Sequence, residues 1–375
     1  MRYINTRNLT VFILAMVLAL VSPLVASAEQ EELSIADAIA MAADKNPQVT
    51  SLKLQVDRAN ILRDDAADLV TFFSPSQLLV NPDGQMLVNN YEQLTIQLKS
   101  LKKQLDSEQG RVEKEVVGAY TGAVIANNDM KATRLTMDEM KQQAQLYDLG
   151  QRIGIVSLYD HNTFLRKMEQ LDDTLAMQEK QYESSIASLR ALLHKGTDWQ
   201  PILTSQPTIN RYDRQSLDTE LIRAVDQSVL VLGAKTAVEL EQIKIYWPSF
   251  VGQDAYMDQI QRNVKQLEYE KTKRDMYSTV EQLYLGMDAL QMQIKLSGKV
   301  LEEKQRELEL RELKYELGLI PLRSMQPGAE SLDTARDAVT RAQIDINSLQ
   351  AKLAANKASY GYLTGQNVYS KTDWQ

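Results

Sequence analysis

Cysteine is absent from all 375 residues. Disulfides are therefore excluded, as is a lipid anchor carried on an N-terminal cysteine. Aromatics make up only 6% of the chain, and there are just 9 prolines and 15 glycines. A core without rings or staples must come from many Leu, Ile, Val, Met and Ala contacts along helices. Only two histidines occur, His161 and His194, far apart and without ligand spacing. No Gly-rich phosphate loop and no G-x-S-x-G word are found. Asp172-Asp173 and Glu302-Glu303 read as solvated helix faces, and the heptad methionines read as core filler. No catalytic, cofactor-binding or metal site is expected, and an enzyme is not. The net charge of −8 argues against a nucleic-acid partner, which would want a basic face.

The chain starts with a basic region, Arg2 and Arg7, then a nearly apolar run from Leu9 to Val25, then Ala26-Ser27-Ala28. This is the pattern of a secretory leader over residues 1–28, cleaved after Ala28. An uncleaved anchor is the alternative, though the run barely reaches the ~20 residues of a span. Cleavage takes the charge from −8 to −10.

The remainder reads as helix with punctuation. Ser34 is placed to cap a helix over Ile35-Ala36-Asp37-Ala38-Ile39, and Pro47 suits the first turn of the next. Near 70–89 the pattern breaks. Asn81-Pro82-Asp83-Gly84 reads as a turn between Leu78-Leu79-Val80 and Met86-Leu87-Val88, so a short hairpin is expected there. A long proline-free run follows, with Leu94, Leu98, Leu101 and Leu105 on one face. Gly118 and Gly122 either admit a close backbone or are tolerated glycines. A seam of Phe164, Met168, Leu171, Leu175, Tyr182, Leu189 and Leu192 then leads to His194-Lys195-Gly196, read as a basic last turn with a terminating glycine.

After a linker at 201–216 the order repeats. Leu221 to Asp226 echoes Ala38 to Asp44, and a second break lies near 246–258. Met276, Val280, Leu283, Met287, Leu290 and Ile294 keep heptad steps, as do Leu332, Ala335, Ala342, Ile346, Leu353 and Tyr360. Even the ends match, Thr197-Asp198-Trp199-Gln200 and Thr372-Asp373-Trp374-Gln375. Every proline beyond the leader falls at a proposed break. The predicted architecture is all-α: long antiparallel coiled-coil hairpins in two internal repeats, 29–200 and 217–375, with short or vestigial β-hairpin inserts.

Each long hairpin turns at a similar phrase. Leu146-Tyr147-Asp148-Leu149-Gly150 matches Lys314-Tyr315-Glu316-Leu317-Gly318. On that pairing Gln151 to Gly154 are four extra residues in the first turn, and the second, with Pro321, is tighter. His161 beside Asp160 reads as a solvated surface residue or as a tip contact and pH-sensitive pair.

The opening Leu33 to Ile39 through Asn46-Pro47, the duplication, the two turns and the closing Leu363-Thr364-Gly365 resemble the TolC-like outer membrane efflux protein family. The resemblance implies a homotrimer whose helices close into an α-barrel tunnel. It implies a membrane barrel of four strands per protomer, and hairpin tips that meet a periplasmic adaptor (membrane fusion) protein linked to an inner-membrane pump. It places the tips at Tyr147, Gly150, Gly154, Ser157, Asp160, Tyr315, Gly318 and Pro321. It implies an outer membrane or periplasmic location, or the outer face of the envelope in a cell with one membrane. Two departures stand out. The inserts near 70–89 and 246–258, the expected membrane contacts, are short for strands that need ~9–11 residues each. The acidic positions after the second turn are Ser324 and Pro327, while the first repeat keeps Asp160. A non-conducting envelope scaffold is the second expectation.

Overall fold

The computed structural model describes residues 31–71, 74, 82–205, 216–246, 255–323 and 330–365. The leader, Ser324, Pro327, residues 72–73 and 75–81 of the first insert and most of the second lie outside this set. The order is β1 (Glu32–Leu33), α1 (Ile35–Lys45), α2 (Pro47–Thr71), α3 (Pro82–Arg152), α4 (Leu158–Leu192), β2 (Ile202–Leu203), α5 (Leu217–Gln227), α6 (Val229–Tyr246), α7 (Ala255–Glu316) and α8 (Leu332–Thr364).

One plan is used twice. An 11-residue helix opens each copy, α1 and α5, and a 71- or 62-residue helix forms its spine, α3 and α7. At 1.5 Å per residue the spines run about 105 and about 93 Å. The other three helices of each copy pack on its spine, and α8 joins the copies by packing on α3. The lower part is thus one row, α4–α3–α8–α7, whose two edges are α4 and α7.

The local signals act as expected at the start. Ser34 Oγ accepts from the Asp37 N–H at 3.1 Å. Pro47 is the first residue of α2, and Asn46 Oδ1 caps it by accepting from Gln48 N–H at 2.8 Å. The heptad residues Met276, Val280, Met287 and Ile294 are buried against Leu353 and Tyr360. Val112, Val116, Val117 and Tyr120 of α3 form the matching core with Ile186 and Leu189 of α4. The repeats correspond closely: Tyr120 and Tyr284 stand equally far before the last residues of their spines, Arg152 and Glu316.

Three expectations are corrected. Met86 to Val88 is helix, not strand, because Pro82 takes the first helical position rather than a turn. Asp83 then sits in the first turn, where the helix dipole favours an anion. The left-handed residue after α4 is His194 (φ 51), not Gly196. Leu193 caps the helix fully buried, so the reversal must follow at once, and Lys195 N–H donates to the Arg190 carbonyl at 3.0 Å. The described strands are not hairpin arms. β1 and β2 pair in parallel, Glu32 with Ile202 and Leu33 with Leu203.

That pairing closes the first copy. Trp199 Nε1–H donates to Glu31 at 2.6 Å, and Lys195 Nζ lies 2.8 Å from the same carboxylate. The Lys195 bond, then the Trp199 bond, hold the Glu31 carboxyl below its usual range. Gly118 faces open space and Gly122 meets only Ser185, so these glycines mark no close backbone approach.

Candidate functional site

The hairpin tips are built by the ends of α3 and α7. Ile153 N–H donates to Leu149, Gly154 N–H to Gln151 and Ile155 N–H to Gly150. In α7, Leu317 N–H donates to Leu313, Gly318 N–H to Tyr315 and Leu319 N–H to Lys314. These three bonds match one for one, and tip 1 adds Val156 N–H to the Gly150 carbonyl at 3.0 Å. Gly154 (φ 78) and Gly318 (φ 71) hold the left-handed position in each, where a Cβ would be strained.

Gly318 therefore corresponds to Gly154, not to Gly150. Gly150 is still helical, Gln151 and Arg152 end α3, and Ile153 and Gly154 begin the reversal, so the four are not an insertion. The repeated phrase is Ile153-Gly154-Ile155-Val156-Ser157-Leu158 against Leu317-Gly318-Leu319-Ile320-Pro321-Leu322. The Tyr-x-x-Gly match misled because it lay one helical turn out of register, and a shift of four residues keeps the same helix face.

Tip 1 is short. Ser157 caps α4, accepting from Asp160 N–H at 3.0 Å and donating to the Asp160 carboxylate at 2.7 Å. Tyr147 stacks on Phe164, with ring centroids 4.1 Å apart and an interplanar angle of 11°. His161 meets Asp148 rather than Asp160, with Nε2 2.7 Å from Oδ1. Gly150 is needed for packing, since a Cβ there would lie 2.6 Å from Val156 Cγ2.

Tip 2 is the longer one, because α8 starts only at Leu332. Pro321 and Leu322 accept from Leu332 and Asp333 N–H at 3.3 and 3.0 Å, closing the base of this link. Ion pairs brace it: Arg323 to Asp333 at 2.5 Å, Lys314 to Glu330 at 2.9 Å and Arg336 to Glu312 at 3.7 Å. The hydrogen bond from Lys314 holds the Glu330 carboxyl below its usual range.

Both tips lie at one end, since Glu139 of α3 pairs with Arg341 of α8 at 2.7 Å. Asp337, beside them, is pushed up by burial and then by the charge of Glu139. Sequence reasoning missed the tips' main surface character, which is apolar. Ile155 is 79% exposed and Leu319 69%, with Ile153, Leu158, Tyr159 and Leu317 also open. The signal was present in the repeated Ile-Gly-Ile-Val and Leu-Gly-Leu-Ile phrases.

No family model and no curated protein sequence matches this chain. Solved structures do match it over nearly its whole length. The outer membrane protein VceC of Vibrio cholerae aligns with a TM-score of 0.61 at 9% identity, covering 89% of this chain and 97% of that one. The fold is TolC-like. The open state of the Neisseria gonorrhoeae MtrE outer membrane channel gives 0.60 at 12% identity, covering 89% of each chain. The Campylobacter jejuni CmeC outer membrane channel gives 0.59 at 12% identity, covering 88% of this chain and 85% of that one. The TolC-like fold explains two spines of near-equal length with matching reversals at one end. Among the described residues, no cluster of three or more His, Asp or Glu is placed to hold a metal. No helix there is long and apolar enough to cross a membrane.

Proposed function

We propose that this chain is an export duct component: three copies close their helix rows into a tube, and the paired tips receive a periplasmic adaptor protein tied to an inner-membrane pump. Cargo passes by passive conduction, and the tube opens when the tip hairpins separate. The carrying observation is the exposed apolar phrase at both tips. Ile155 and Leu319 stand on rigid left-handed turns at one end of the molecule, where burial against a partner would gain roughly 1.5–3 kcal/mol per side chain. Tyr147, Gly150, Ser157 and Asp160 shape the first tip, and Tyr315 and Pro321 the second.

The row's edges support the assembly. On α7, Leu285, Met292, Leu296 and Leu310 are exposed at near-heptad spacing, and on α4 Leu165 and Met177 are exposed. A second copy would cover them. The protein would then sit in the outer membrane and periplasm, or on the outer face of a single-membrane envelope.

Site-specific cross-linking from tip 2 to a co-expressed adaptor tests the docking. Gly318→Glu should abolish the cross-link while leaving the helix content intact. Unchanged export in a deletion strain would overturn the duct. A second reading, a non-conducting envelope scaffold, is favoured by the short connection between α6 and α7. A stable monomer without conductance would select it.

A further inference from the structure

The end of the molecule opposite the tips can be located from helix lengths. One groove brings together Lys99 and Lys103 of α3, Val231 and Lys235 of α6, and Tyr269 of α7. Val56 of α2 packs at the same level, against Leu98. From there α2 and α6 run to their last residues and α3 and α7 back to their first. All four ends therefore lie roughly 17–26 Å beyond that level. They form one rim.

The rim is apolar. Met86 on α3 is 71% exposed and Met257 on α7 is 58% exposed, with Leu69 of α2, Tyr256 and Ile260 also open. The charges in these last turns are mostly acidic, as Asp64, Asp65, Asp68, Asp83 and Asp258.

Chain length decides what can cover it. Only ten residues separate Thr71 from Pro82, and eight separate Tyr246 from Ala255. Going out and back, these reach at most about 17 and about 14 Å even when fully extended. A spanning barrel needs an apolar band of about 25 Å, with ~9–11 residues per strand. The two connections carry Phe72, Phe73, Trp247 and Phe250, three of the chain's 5 phenylalanines among them. Trp247 is of the kind enriched at the membrane–water boundary.

We propose that the rim seats on one leaflet of a lipid bilayer as a shallow apolar contact, in place of a spanning barrel. This deepens the membrane contact in the duct reading and rests on it for orientation. Because the rim's charges are acidic, the contact is driven by apolar burial, so it needs no anionic lipid and resists salt. Burial of about 5–10 Å into the boundary takes in the exposed side chains of the rim's outermost one or two turns.

The test uses the purified mature chain, N-terminally sequenced to show that residues 1–28 are gone. It is floated with phosphatidylcholine vesicles holding a trapped dye, in low salt and in about 1 M salt. Co-flotation in both, with the dye retained, is expected. In Met86→Asp/Met257→Asp, bound protein should fall by about tenfold or more, with helix content and oligomer size unchanged. A second probe needs no destabilising change: in this cysteine-free chain, Met86→Cys carries one environment-sensitive dye, whose emission should rise and shift to the blue on vesicles.

Absence of flotation, or flotation indifferent to the double substitution, would overturn the proposal. So would a labelled Met86→Cys chain whose emission ignores vesicles. Release of the trapped dye would show a spanning pore instead. Dissociation of the oligomer by the double variant would show that the rim is an interface between copies. None of these readouts involves the tips, so failure here leaves adaptor docking standing, and loss of the adaptor cross-link leaves the rim standing.

Discussion

The Tyr120 hydroxyl donates to the carbonyl oxygen of Leu33 at 3.1 Å, inside the first repeat's core. It also accepts from Ser205 N–H at 2.9 Å. A ring that is 0% exposed thus ties α3 to β1 itself and to the segment just after β2. Tyr120→Phe keeps the packing but strands the Ser205 N–H, while the Leu33 carbonyl keeps its bond from Thr204 N–H at 3.2 Å. A loss of about 1–3 kcal/mol is expected, read as a lower denaturation midpoint with unchanged slope. A variant as stable as the parent would show that the Ser205 N–H finds another partner.

Glu31 gives the same region a pH dependence. Its carboxyl is held low in the folded state, chiefly by Lys195 and then by Trp199. The stability it contributes is therefore present above the ordinary carboxylate value and lost as pH falls through the lowered one. Glu31→Gln should be less stable than the parent near neutrality. In thermal melts the gap should close in acid.

Glu113 on α3 behaves in the opposite sense. Burial alone pushes its carboxyl up. Ionisation then costs the folded state more than the unfolded one, so the penalty is full above the raised value and vanishes below the ordinary one. Glu113→Gln should melt higher than the parent at neutral pH, with the advantage fading as the solution is acidified. A variant that is destabilised at neutral pH would mean that the charged form has a use.

The corrected tip register makes a prediction of its own. Gly154→Ala and Gly318→Ala meet no neighbour within 4 Å, so both bear only the left-handed strain, about 1–2 kcal/mol each. Gly150→Ala is different, because its methyl drives into Val156. Amide exchange should speed up at Ile155 in Gly154→Ala and at Leu319 in Gly318→Ala. In Gly150→Ala the fastest gain should appear at Val156, whose N–H donates to the Gly150 carbonyl at 3.0 Å.

The long helices were readable because burial on a helix leaves a period, and Met276 to Ile294 kept it over their whole stretch. Ser34 and Pro47 were readable because capping chemistry is local. What escaped had no local mark. A two-residue parallel pair between Glu32 and Ile202 is set by tertiary closure, not by alternation. Asn81-Pro82-Asp83-Gly84 satisfies both a turn and a helix start, and the long helical run that follows decides between them. Gly150 and Gly154 both suit a reversal, and only the backbone shows which of them is left-handed.

The β1–β2 pair also bears on how such a chain could arise. It brings the chain out of the first four helices beside the point where it entered them, at Glu32 and Ile202. A segment whose two ends meet can be copied head to tail with only a short connector, and neither copy has to be threaded through the other. A gene duplication would have found this unit already shaped for it, and the copies were then free to diverge at their reversals while keeping their spines.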